Sequence, residues 1–170
     1  DDQAFRPTVI VKKGKSVGSG TIIASVAGET LVLTAAHVVE DKGPPVIEVH
    51  RYNLGLERTH SSEGWPKRLP VKIVISDRAA DLALLRLEDY PVMPFVARLS
   101  RTPADPAPGT IVRSIGIDRG TNLSGWSTRI IEHTLIDMAK GGGERRFLLT
   151  EKFPDFGRSG GGLFLPDGTI

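Results

Sequence analysis

Ser159 lies in Gly157-Arg158-Ser159-Gly160-Gly161, a hydroxyl with glycine close on both sides. A serine hydroxyl is a weak nucleophile until a base takes its proton. It also needs backbone N–H groups to hold the oxyanion that develops on an attacked carbonyl. Glycines let the backbone turn sharply enough to bring such groups inward. By itself the run reads sooner as a structural turn, so a base must be found. Of four histidines, His37 is the best placed. It follows the apolar run Leu31 to Thr34 across the small residues Ala35 and Ala36, so a strand end can aim its imidazole. His50, His60 and His133 have polar neighbours or a strand face, and read as surface or packing residues. An imidazole base needs an acceptor on its other nitrogen, to fix the tautomer and stabilise the imidazolium. Asp81 opens Asp81-Leu82-Ala83-Leu84-Leu85-Arg86-Leu87. A carboxylate at the mouth of a buried strand is costly unless paired. Capping that strand is its alternative role, and Asp77, in a polar loop, is the weaker candidate.

The same five residues satisfy G-x-S-x-G, the nucleophile elbow of α/β-hydrolases. That fold places its acid and histidine after the serine. No histidine follows Ser159 in this chain, which excludes the reading.

The elements that must position these residues are short strands. Thr8 to Val11, Val17 to Ala24, Leu31 to Thr34, Val46 to Val49 and Val71 to Ile75 are β-branched or apolar runs bounded by turn residues. Leu82 to Leu87 is apolar on both faces except at Arg86, which predicts a deep strand. Ala35 to Val39 suits a single helical turn. Ile111 to Ile117, Ser127 to Met138 and Phe147 to Thr150 read as further strands, with a flexible loop at Lys140 to Glu144. Pro91 to Pro108 is proline-rich and lacks periodicity. The predicted fold class is all-β, with residues 1–98 as an N-terminal β-barrel, 99–108 as linker and 109–170 as a C-terminal barrel.

Thr34-Ala35-Ala36-His37-Val38, the Asp81 block and the Ser159 block, in that order, resemble the three signature blocks of trypsin/chymotrypsin-like serine proteases. Val17 to Ile23, Pro108 to Gly116, Leu149-Thr150-Glu151 and Leu163 to Ile170 are similar to the cysteine-free, HtrA-type bacterial branch. The resemblance implies two perpendicular six-stranded antiparallel β-barrels with a cleft between them. It implies a catalytic triad of His37, Asp81 and Ser159, and an oxyanion hole from the N–H groups of Gly157 and Ser159. Polypeptides would be the substrates. A catalytically latent, protease-like binding or scaffold domain is the competing function.

The sequence departs from the family in four places. Arg158 stands where digestive members carry an aspartate that pairs with a newly cut N-terminus, so activation by that route is not expected. It is left to meet an acidic partner or to hold the loop inactive. Gly162 replaces a proline or small residue. Phe153 occupies the floor position of the P1 pocket, arguing against Lys or Arg there. The chain ends at Ile170, before the strand that in the family walls the P1 pocket, so the second barrel is expected to be incomplete. Homo-oligomerisation and a downstream PDZ module stay open.

Composition is that of a globular domain, with 39% hydrophobic and 25% charged residues and a net charge of +2. Basic residues at Lys12, Lys13, Lys15, Lys67, Arg68, Arg145 and Arg146 read as scattered loop charges, which argues against a nucleic-acid partner. The absence of cysteine removes disulfides, thiolate metal sites and cysteine nucleophiles. No metal or cofactor is expected, and no run is long enough to span a membrane. By analogy with cysteine-free relatives, the expected setting is periplasmic or secreted.

Overall fold

The computed structural model describes residues 2–101, 104–138 and 143–170. Among these residues eleven strands form two antiparallel sheets. The first contains β1 (Thr8–Lys13), β2 (Ser16–Val26), β3 (Glu29–Thr34), β4 (Pro45–Val49), β5 (Lys67–Pro70), β6 (Lys72–Asp77) and β7 (Leu82–Glu88). Their order across the sheet is β5-β4-β1-β2-β3-β7-β6. The two outer strands, β5 and β6, are neighbours in the chain, separated only by Val71. They are two arms of one bent strand, so the sheet curls on itself into a barrel of six strands when that strand is counted once. The Val71 N–H donates to Pro45 O at 3.1 Å and holds the bend. Val9, Val11, Ile22, Val32, Ile47 and Leu85 fill the interior.

The second sheet has β8 (Ile111–Asp118), β9 (Asn122–Asp137), β10 (Glu144–Thr150) and β11 (Leu163–Phe164), ordered β10-β9-β8-β11. Ile115 and Phe164 form its core with Ala4 and Ala97, so the segment before β1 packs on this second half.

Three sequence expectations are corrected. Leu82 to Leu87 is not buried on both faces. Ala83, Leu85 and Leu87 point into the barrel, whereas Leu82 is 49% exposed, because a barrel wall has only one inner face. Lys67 and Arg68 belong to β5 and not to a loop, since pairing with Val49 and Glu48 extends the sheet over residues without a strand-like pattern. Lys12 and Lys13 likewise lie on β1. Most of the loop expected at Lys140 to Glu144 lies outside the described residues.

Candidate active site

His37 stands on the one-turn 3-10 helix Ala36–Val39, directly after β3. The turn is short because its apolar residues Ala36, Val38 and Val39 dip into the barrel core and leave His37 facing out. Asp81 ends the loop between β6 and β7. Asp77 shapes that loop by accepting from the N–H groups of Ala79 at 2.8 Å and Ala80 at 3.0 Å. Asp81 itself has φ 54°, a left-handed conformation that aspartate tolerates better than most residues.

These two elements meet. His37 Nδ1 lies 2.8 Å from Asp81 Oδ2 and 3.0 Å from Oδ1, and the His37 backbone N–H donates to Oδ1 at 3.0 Å. The Ala36 N–H donates to the Asp81 carbonyl at 3.2 Å. The carboxylate thus fixes both the ring and the backbone of His37, leaving Nε2 as the ring nitrogen that can take a proton.

Ser159 comes from the loop between β10 and β11 and docks on β2. Ser19 is the clamp: its N–H donates to Ser159 O at 2.7 Å and its hydroxyl to Gly157 O at 2.9 Å. The same hydroxyl accepts from the Ile117 N–H of β8 at 2.8 Å, so one buried side chain ties both sheets to the loop. Thr34 Oγ1 donates to Ser19 O at 2.7 Å. Gly160, at φ +82°, presses on this junction, and a Cβ there would collide with Ser19 O and Thr34 Oγ1. Ser159 is thereby held against the end of the strand that carries His37. Among the described residues no hydrogen bond joins His37 Nε2 to Ser159 Oγ.

The carbonyls of residues 156 to 159 are all engaged. Phe156 O accepts from the Arg119 N–H at 2.6 Å and Arg158 O from the Gly161 N–H at 2.9 Å, while Ser19 takes the other two. In a trans peptide the C=O and the following N–H point in opposite directions. The Gly157 and Ser159 N–H groups therefore face away from these partners, and neither has a partner among the described residues. A cavity of about 410 Å³ opens beside them, lined by Ser114, Pro154, Asp155, Phe156, Ser159 and Leu163. Phe153 lies outside it and is 84% exposed, whereas Phe156, itself 73% exposed, borders it.

A second cavity of about 510 Å³ flanks His37, with Glu40, Arg78, Asp81, Arg145 and Phe147 around it. Arg78 donates to Glu40 and holds its carboxyl below the usual range. Arg145, read from sequence as a loop charge, lies on β10 and crosses to the other sheet. It donates to Arg78 O and comes within 3.8 Å of Asp81 Oδ2. Neither Ser19 nor Arg145 was visible as a site residue in the sequence. Ser19 sits in a Gly-Ser-Gly run, the one signal that could have marked a backbone contact.

The remaining histidines lie apart from this cluster. His50 caps a short 3-10 turn and stacks on Tyr52, and burial lowers its pKa. His133 Nε2 lies 2.8 Å from Pro106 O. No cluster able to hold a metal ion and no helix long and apolar enough to cross a membrane occurs among the described residues.

Comparison with known proteins bears on the fold and the family. The chain is 28% identical over 163 residues to an Arabidopsis thaliana protein named as a Do-like protease, Do-like 14; the match covers 94% of this chain and 35% of that protein, about a third of its length. Two solved structures share the fold at 20% identity, each matching 98% of this chain. The MamO protease domain from Magnetospirillum magneticum has a TM-score of 0.74 and is covered over 82% of its length. The Rv3671c protease of M. tuberculosis, in an inactive form, has a TM-score of 0.71 and is covered over 76%. The trypsin-like peptidase domain family matches residues 18–170, a span that holds the His37–Asp81 pair, the Ser159 loop and every strand but β1 and the first two residues of β2. The chain therefore belongs to the trypsin-like peptidase family of serine proteases.

Proposed function

We propose that the domain is a serine endopeptidase working through His37, Asp81 and Ser159. The observation that carries this reading is the His37 Nδ1 to Asp81 Oδ2 contact of 2.8 Å, on the cleft where the Ser159 loop is docked. Ser159 Oγ attacks the scissile carbonyl as its proton passes to His37 Nε2. The new C–O bond leaves a tetrahedral oxyanion, held by the unpartnered N–H groups of Gly157 and Ser159. Each such donor is worth roughly 3–4 kcal/mol in enzymes where one was removed. The oxyanion collapses, the C–N bond breaks, and His37 returns the proton to the leaving amine. The acyl ester on Ser159 is then hydrolysed by a water that His37 deprotonates, and the proton goes back to Ser159 Oγ. Asp81 keeps the tautomer and balances the imidazolium throughout. The substrate is a polypeptide, with its side chain before the scissile bond directed to the cavity walled by Phe156 and Leu163.

A second reading, a latent protease-like binding domain, is favoured by two observations. Arg145 approaches the carboxylate that serves His37, and the His37–Ser159 hydrogen bond is not formed. A fluorophosphonate probe separates the two. Mass spectrometry should find the adduct on Ser159, and Ser159→Ala and His37→Ala should each abolish it. A wild-type domain that neither labels nor cleaves an unfolded casein would overturn the endopeptidase reading in favour of the latent one.

A further inference from the structure

The residue between the two unpartnered N–H groups is an arginine turned into the protein. Arg158 is 4% exposed, a state rare for a cation unless it is paired. Its guanidinium runs under β8 and β9. Nη2 donates to Ser124 Oγ at 2.8 Å, and Nη1 and Nη2 donate to Ser124 O at 3.2 and 3.3 Å. Nε lies 3.4 Å from Asp118 Oδ1, at ion-pair rather than hydrogen-bond geometry. Ser124 Oγ donates in turn to Asp118 Oδ2, so carboxylate, hydroxyl and guanidinium form a closed set. The guanidinium carbon sits 4.8 Å from the centre of the Trp126 ring, within cation–π range. Gly116 makes the passage, since a Cβ there would lie 2.6 Å from Arg158 Cγ. Strands β8 and β9 thus supply a charge, a hydroxyl, a carbonyl, an aromatic face and a gap, all fitted to one guanidinium.

This slot bears on the oxyanion. The Gly157 and Ser159 N–H groups are separated by the backbone torsions of residues 157 and 158 only. Gly157 has no side chain with which to hold its conformation, and Arg158 has one that is fixed at both ends. We propose that the Arg158–Ser124–Asp118 cluster is an internal anchor for the oxyanion loop, with Arg158 as a positioning residue for the two donor N–H groups. The proposal rests on the endopeptidase reading. Both charges belong to the folded domain itself, so the loop is set when the domain folds. No newly cut N-terminus is needed to complete it.

The test measures fluorophosphonate labelling rate and casein-peptide turnover for wild type, Asp118→Asn, Arg158→Met and the double variant, each checked by circular dichroism. Asp118→Asn keeps the volume and an acceptor for Ser124 while removing the charge. Each single variant should slow labelling and kcat by about ten- to a hundredfold, with KM within about threefold, because a misplaced donor harms the transition state more than substrate binding. The double variant should lose no more than the slower single, since the two residues act as one unit. A folded Asp118→Asn variant that labels at the wild-type rate overturns the anchor. So does a loss that merely tracks the unfolded fraction. If Arg158→Met does not fold, Asp118→Asn alone decides. A wild-type domain that fails to label overturns the endopeptidase reading instead, a result distinct from either.

Discussion

Ser19 has no part in bond making, yet the geometry of the Ser159 loop depends on its hydroxyl. It donates to Gly157 O and accepts from the Ile117 N–H in a place without solvent access. Ser19→Ala leaves a buried carbonyl and a buried N–H unpaired, and each such group carries its own desolvation cost. Urea unfolding should show a loss of about 1–3 kcal/mol. Labelling of Ser159 should slow as well, because the Gly157 carbonyl loses the partner that turns its peptide. Unchanged stability would mean that the loop finds another donor. The same reasoning separates Asp81 from Asp77. Both carboxylates accept backbone N–H groups, but only Asp81 also reaches the imidazole, while Asp77 shapes the turn that presents it.

Between elements, the informative contact is β10 on the β6–β7 loop. Arg145 leaves the second sheet to donate to Arg78 O, three residues before Asp81. The bond itself lies at the surface, and through it Arg145 is a brace across the cleft beside His37. Arg145→Ala should release the loop, and hydrogen exchange at residues 78–81 should quicken while the β9–β10 strands keep their protection. Equal exchange in both proteins would show that the Asp77 turn holds the loop unaided. The β8–β9 pair serves the other side of the site. Its regular register from Ile111↔Arg129 to Asp118↔Asn122 brings Gly116, Asp118, Ser124 and Trp126 around one guanidinium.

At the scale of the whole molecule, the outer face of the first barrel covers a carboxylate, at the strand position between the inward-facing Ile47 and Val49. Glu48 on β4 is 3% exposed, and its Oε1 accepts from Lys12 on β1 and Arg68 on β5, both at 2.8 Å. Burial opposes the charge, but the two cations outweigh it and hold the Glu48 carboxyl below its ordinary value. A depressed carboxylate contributes stability that is present above the unfolded pKa, about 4.3, and is lost as pH falls through the folded one. Glu57, drawn down to about 2 by its hydrogen bonds from Arg6, acts in the same direction. Glu48→Gln should lower stability at neutral pH by about 1–3 kcal/mol. Its unfolding midpoint should also fall less steeply than that of wild type below about pH 4.5. Parallel pH curves for the two proteins would show that Glu48 does not set the acid limit.

Much of this architecture was legible in the chain itself. The β-branched runs between turn residues marked β1 to β4 and β8, because alternation between core and solvent leaves its trace in consecutive residues. His37, Asp81 and Ser159 stood out because each sits in a local context with few other uses: small residues after a strand, a charge before an apolar run, and a hydroxyl among glycines. Three things could be decided only by the fold. β5 reads as polar because its strand character comes from its partner β4. Phe156 and not Phe153 borders the cavity beside Ser159, since no local pattern records which way a loop turns. Arg145 looked like one more cation in a basic chain, and Arg158 like one left to meet an acidic partner or to hold its loop inactive. Whether a charge is solvated or buried depends on the residues around it in space, and Asp81, Asp118 and Ser124 approach them only when the sheets are assembled.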